Sequence, residues 1–220
     1  MKKVFLAVLM AALVIAVGHS QTGIIREFTG EVEIKPAGSS VFTPARAGTE
    51  VARDTIVSTG FRSTAIIAIG STTITVRPLT RLSLAEIQSS AGTENLNVSL
   101  ETGRIRVDVK PPAGTRANTV VQTPSATASV RGTGFEIDQY NIEMYDGAAM
   151  YEGNDNLKQS VSGDDSSSIS GDGVAQDPVQ RRRTDSLPST PVGAGEAGET
   201  QVPVEIPAAN GFGVNITWPE

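Results

Sequence analysis

"STAIIAIGSTTITVRP", residues 63–78, decides how this chain is to be read. Ala65, Ile67 and Ile69 alternate with their neighbours, Gly70 and Ser71 interrupt, and alternation resumes through Ile74 and Val76. Period two on both sides of a Gly-Ser step predicts a β-hairpin, Ala65–Ile69 turning into Thr73–Val76, because successive strand side chains point to opposite faces.

The same grammar extends in both directions. "GEVEIKPAG" (30–38) sets Val32 and Ile34 against Glu31, Glu33 and Lys35, one side dry and one wet. "RLSLAEI" (81–87) alternates Leu82 and Leu84 and then slips at Glu86 before Ile87. "LNVSLETGRIRVDV" (96–109) gives Leu96, Val98 and Leu100, then Thr102-Gly103 read as a hairpin turn, then Ile105, Val107 and Val109. "TVVQTP", "ATASVRG", "GFEIDQ" and "NIEMYDG" continue the series to residue 147. Helical periodicity is absent after the N-terminal apolar run. Short strands at regular spacing predict an all-β domain. Aromatics make up 5% of the chain, so the inward positions are Val, Ile, Leu, Ala and Thr. A thin aliphatic core suits a solenoid-like or flattened β-sandwich of short strands better than a barrel that needs bulky filling.

Composition divides the chain. Residues 24–152 carry the strand pattern, whereas 153–200 are rich in Gly, Ser, Asp and Pro and read as a flexible linker. In the tail, 201–220, Val202, Val204 and Ile206 alternate, Asn210-Gly211 offers a turn, and Val214, Ile216 and Trp218 alternate again. That predicts a terminal hairpin-like strand pair, with Trp218 either packed on the domain or docking on a partner by strand addition.

Lys2 and Lys3 precede an apolar run from Val4 to Val17, with Gly18 and Ser20 after it, the pattern of a signal peptide over residues 1–20 cleaved before Gln21. The run is short of the ~20 residues that span a bilayer, so no membrane span is expected after cleavage, and the mature chain is expected to be periplasmic or secreted. Cleavage takes Lys2 and Lys3 from the 18 Lys+Arg, leaving 16 against 24 Asp+Glu. That balance disfavours nucleic acid as a partner. It also removes His19, the only histidine, and the chain has no cysteine. A Ser-His-Asp triad, a Cys nucleophile and His- or thiolate-held zinc are thereby excluded from the mature chain. Carboxylates alone could still hydrolyse or bind a glycan, but no spacing here brings two acids together. No cofactor is expected.

The ordered set Gly30-Glu-Val-Glu-Ile34, Ala47-Gly-Thr-Glu-Val51, Asp54-Thr-Ile-Val-Ser-Thr-Gly60, Ser63-Thr-Ala-Ile-Ile67, Leu100-Glu-Thr-Gly-Arg104, Thr123-Pro124 and Val130-Arg-Gly-Thr133 resembles the FecR family domain. The resemblance covers roughly residues 24–152. It implies an all-β periplasmic domain of the kind found in transducers that link an outer-membrane receptor to a sigma factor. Those transducers also carry a cytoplasmic segment and a membrane helix. Here the sequence opens on a signal peptide, so a binding or scaffolding role in the cell envelope, with an envelope protein as partner, is the expectation, and signalling is the alternative.

"VQTPSATASVRGTGFEI" (121–137) gathers Thr123, Pro124, Arg131, Gly132 and Thr133. It lacks the glycine spacing and following helix of a phosphate loop. Pro124 is expected to end a strand, and Gly132 and Gly134 to permit a sharp bend. Arg131 is expected to be a structural clamp, pairing with backbone carbonyls or with Asp54, Glu101 or Asp108, the alternative being an arginine that faces a ligand. Asp164, Asp165 and Asp172 lack calcium-loop spacing and read as solvated loop, and Arg181–Arg183 as a linker feature or processing site.

Overall fold

The computed structural model describes residues 22–90 and 92–179. The signal-peptide run, Arg181–Arg183, the tail and Trp218 lie outside the described residues.

Two open sheets carry all the strands among the described residues. The chain starts in the first with β1 (Gly23–Thr29), crosses to the second for β2 (Val32–Lys35) and β3 (Thr43–Pro44), returns for β4 (Glu50–Val51) and crosses again for β5 (Ile56–Thr59). The hairpin of β6 (Thr64–Ile69) and β7 (Thr72–Val76) lies in the first sheet, that of β8 (Arg81–Ser90) and β9 (Thr93–Thr102) in the second, and β10 (Arg104–Val109) in the first. Then β11 (Arg116–Gln122) and β12 (Thr127–Arg131) join the second, β13 (Gly134–Asp138) and β14 (Asn141–Met144) the first, β15 (Ala148–Glu152) and β16 (Lys158–Ser162) the second, and β17 (Ser166–Ser168) the first. The first sheet has eight strands and the second nine, and neither closes into a barrel. The result is a sandwich through which the chain advances by alternating between its two layers.

The quoted hairpin sits where its alternation puts it. Ile69 pairs with Thr72, so Gly70 and Ser71 form a two-residue turn, with Gly70 at φ +53°. Ala65, Ile67, Ile69, Ile74 and Val76 face inward, all buried. The slip at Glu86 is a register shift between Leu84 and Glu86 in the β8–β9 ladder, which lets Leu82, Leu84 and Ile87 all turn to the core. Inward residues of both sheets form one aliphatic core, each large side chain contributing about 1.5–3 kcal/mol on burial. Phe135 and Tyr151 are its two fully buried aromatics, and the Tyr151 hydroxyl donates to the Tyr140 carbonyl at 2.9 Å.

Thr102-Gly103 is a correction. It does not close a hairpin: β9 lies in one sheet and β10 in the other, and Gly103 is the corner between them. Crossing at Gly103 and recrossing through residues 110–115 reverses the chain twice. Hence β11 runs parallel to β9, Asn118 beside Asn95 and Val120 beside Asn97, in a molecule otherwise built of antiparallel pairs among its described strands. Corners take the backbone out of its ladder, and buried hydroxyls replace the lost partners. Thr59 Oγ1 accepts from the Thr80 N–H and donates to the Arg77 carbonyl; Thr80 Oγ1 accepts from the Arg104 N–H; Ser63 Oγ accepts from the Glu31 N–H.

The domain also runs past Glu152, where the composition predicts a linker. β16 pairs with β15 along five residues and β17 pairs with β14. Only Val161 and Ser167 of these two strands are fully buried, and Ser167 donates its hydroxyl to the Gln176 carbonyl at 2.6 Å. Edge strands with one inward side chain each carry little apolar signal, so Ser and Gly composition hides them.

Candidate functional site

The stretch from Thr123 to Thr133 spans one hairpin and one corner. Thr123 and Pro124 end β11: the Thr123 hydroxyl accepts from the Ala126 N–H at 2.9 Å and donates to the Gln139 carbonyl at 3.1 Å, tying the β11–β12 turn to the β13–β14 turn. At the opposite end, Val130-Arg131-Gly132-Thr133 carries the chain from one sheet to the other. Val130 is in the core, Gly132 is left-handed at φ +62°, and buried Thr133 donates its hydroxyl to the Asp146 carbonyl.

Arg131 does none of this. Alternation along β12 buries Ala128 and Val130 and turns Ser129 and Arg131 outward, so Arg131 is exposed and is not the expected clamp. Its suggested partners are elsewhere: Asp108 pairs with Arg106 at 3.1 Å and Asp54 with Arg53 at 3.5 Å. The expectation weighed Arg131 against its neighbours in sequence, Val130 and Phe135, whereas strand parity places it on the other face from both.

On that outer face of the second sheet Arg131 stands opposite Asn118, and Asn118 beside Asn95, whose Oδ1 accepts from Asn118 Nδ2 at 3.0 Å. Two shallow clefts meet at Asn118 and Arg131. One, about 550 Å³, is flanked by Arg116, Thr93 and Pro111; the other, about 640 Å³, by Val120, Ser129, Met150 and Ser160. No carboxylate lines either cleft, and neither Arg116 nor Arg131 has a side-chain partner among the described residues. Sequence reading missed Arg116; its signal is the shared parity with Asn118 and Val120 on β11.

On the outer face of the first sheet, across β7, β10 and β13, charges are paired with one another. Glu136 meets Arg77 at 2.9 Å and Arg104 at 3.6 Å, and Arg104 reaches Asp138 at 2.7 Å. Arg106 lies over the Tyr145 ring at 4.4 Å, and the Tyr145 hydroxyl donates to Glu136 at 3.3 Å. Burial and the Glu136 charge both raise the Tyr145 phenol. Burial pushes Asp138 up, but hydrogen bonds from the Tyr140 and Asn141 N–H groups, the Asn141 amide and Arg104 outweigh it and hold the carboxyl below the usual range. A neighbouring depression of about 430 Å³ is lined by Arg104, Glu136, Asp138 and Glu143. Glu136 and Asp138 are committed to cross-strand pairing with arginines, which is a structural use.

The FecR protein family model matches residues 54–150, a span that begins before β5 and ends within β15. Two crystal structures of a candidate anti-sigma factor from Parabacteroides distasonis are similar to this chain at 14% and 12% identity, with TM-scores of 0.46 and 0.45. Each comparison covers 58% of this chain and 62% of that chain, less than two thirds of the neighbour's length. No curated protein matches.

Proposed function

We propose, from the FecR family match over residues 54–150, that the chain is an exported, non-enzymatic module that binds a protein partner in the bacterial cell envelope, as a scaffold or assembly component. The observation that carries the binding reading is the outer face of the second sheet, where Arg131 and Arg116 hold charge that the fold does not use. Export is supported by Lys2, Lys3, the apolar run Val4–Val17 and the small residues Gly18 and Ser20. A binding rather than catalytic role is supported by the side chains: the mature sequence has neither His nor Cys, and the Glu136–Asp138 acids are tied to arginines.

The test is photo-crosslinking in intact cells from Ser129 and Met150 in the full chain, with N-terminal sequencing of the product. A discrete adduct in the envelope fraction and a start at Gln21 are expected. Unmodified monomer at both positions sinks the partner, and an intact Met1 end sinks the cleavage. The FecR family match favours a second reading, signalling; an adduct with an outer-membrane receptor or a sigma-factor regulator would select it.

A further inference from the structure

The Val130–Thr133 corner fixes three of its four residues for reasons of folding: Val130 by core burial, Gly132 by its left-handed backbone, Thr133 by its bond to the Asp146 carbonyl. The fourth, Arg131, ends a paired strand and faces water. It stands in register with Asn118, and Arg116 lines the same cleft two residues along β11. On the first sheet Arg77, Arg104 and Arg106 each have a carboxylate within 3.1 Å. Arg116 and Arg131 have none among the described residues.

We infer that Arg131, Arg116 and Asn118 form a carboxylate-binding site for an acidic, extended peptide segment of a protein partner. The inference rests on the binding role proposed above. An arginine fork matches a carboxylate with two parallel hydrogen bonds, and the paired strand fixes the backbone from which that fork is offered. Asn118 lines both clefts and spends one Nδ2 hydrogen on Asn95, leaving its Oδ1 as an acceptor for a peptide N–H. The two clefts continue to either side of Arg131, longer together than a single ion requires. On the far side Met150 is 42% exposed beside Val120 and Ser129, an uncharged floor for an apolar side chain of the same peptide. A small inorganic anion would use the arginines alone and leave that floor empty. The mature chain is acidic, so an acidic ligand gains nothing from the general field and depends on this local pair.

The experiment is selection of a random nonapeptide library on the full chain, in an excess of inorganic phosphate, followed by affinity measurement against R131A, R131K and M150E. Selected peptides are expected to carry Asp or Glu with an apolar residue a few positions away. R131A is expected to weaken them by about tenfold or more, R131K by several-fold because it keeps charge and loses the fork, and M150E comparably with R131K. R131A must keep the wild-type unfolding midpoint. Peptides that lack acids, bind R131A equally, or are displaced by phosphate overturn the peptide site, as does a selection that enriches nothing. Crosslinking from Ser129 and Met150 reads the binding role independently, so the site can fail while that role stands.

Discussion

Gly103 passes so close to Thr80 that a Cβ at residue 103 would lie 2.3 Å from the Thr80 Oγ1, 2.5 Å from its Cα and 2.7 Å from the Leu79 carbonyl oxygen. Two of these three atoms belong to backbone and cannot rotate away. Gly103 also sits at φ +88°, where an L side chain is strained. G103A is therefore expected to cost about 2–5 kcal/mol from backbone strain and overpacking together, read as a fall in the urea midpoint. An unchanged midpoint would mean that the β9–β10 corner can move aside.

The Val130–Thr133 corner separates folding from surface in adjacent residues. T133V removes a buried donor to the Asp146 carbonyl at nearly constant shape and is expected to cost about 1–2 kcal/mol. R131A is expected to change stability by less than about 0.5 kcal/mol, since the side chain is exposed and has no partner among the described residues. Denaturation of both variants checks the partition, and a larger loss from R131A than from T133V would return Arg131 to the fold.

Asp138 gives the protein an acid-sensitive contact. Its folded pKa lies below the unfolded value, so its contribution is complete above about pH 4 and is lost as pH falls through the folded value. D138N keeps one acceptor but loses the charge that faces Arg104 at 2.7 Å. It is expected to be less stable than the parent by about 1 kcal/mol at neutral pH, with the gap closing below pH 4. Urea midpoints across that range decide it; a gap independent of pH would remove the Asp138 charge from the account.

What the sequence discloses is local parity, and what it hides is which sheet a strand enters. The Gly70-Ser71 hairpin and the Glu86 slip follow from alternation within one ladder. Thr102-Gly103 carries the same turn signal as a hairpin, yet the close packing of Gly103 on Thr80 makes it a corner, and the Arg104–Thr80 hydrogen bond beside it spans 24 residues of sequence. Arg131 was legible by parity: a buried Val130 puts its successor outside. Reading it instead by sequence neighbours produces a clamp that the structure does not contain. The Arg116–Arg131 cleft depends on β11 pairing with β12, so only the register brings its two arginines together.

The domain boundary is the remaining point where composition and structure differ, and it yields a direct test. β16 completes the second sheet beside β15, with Val161 fully buried, and β17 extends the first beside β14. Beyond them the chain returns over Gly153, where an added Cβ would lie 2.3 Å from the Gly173 carbonyl oxygen, and Ala175 is buried. A chain stopped at Glu152 would lose all of this and expose the open sides of β14 and β15, whose Ile142, Met144, Ala149 and Tyr151 belong to the core. Val161 alone accounts for about 1.5–2 kcal/mol of burial, and each ladder hydrogen bond for about 0.5–1.5 kcal/mol. Residues 22–152 are thus expected to be at least about 3 kcal/mol less stable than residues 22–179, or not to fold, with both measured by urea denaturation and amide exchange. Protection of β14 and β15 to the same degree in both lengths would make β16 and β17 dispensable and restore Glu152 as the end of the domain.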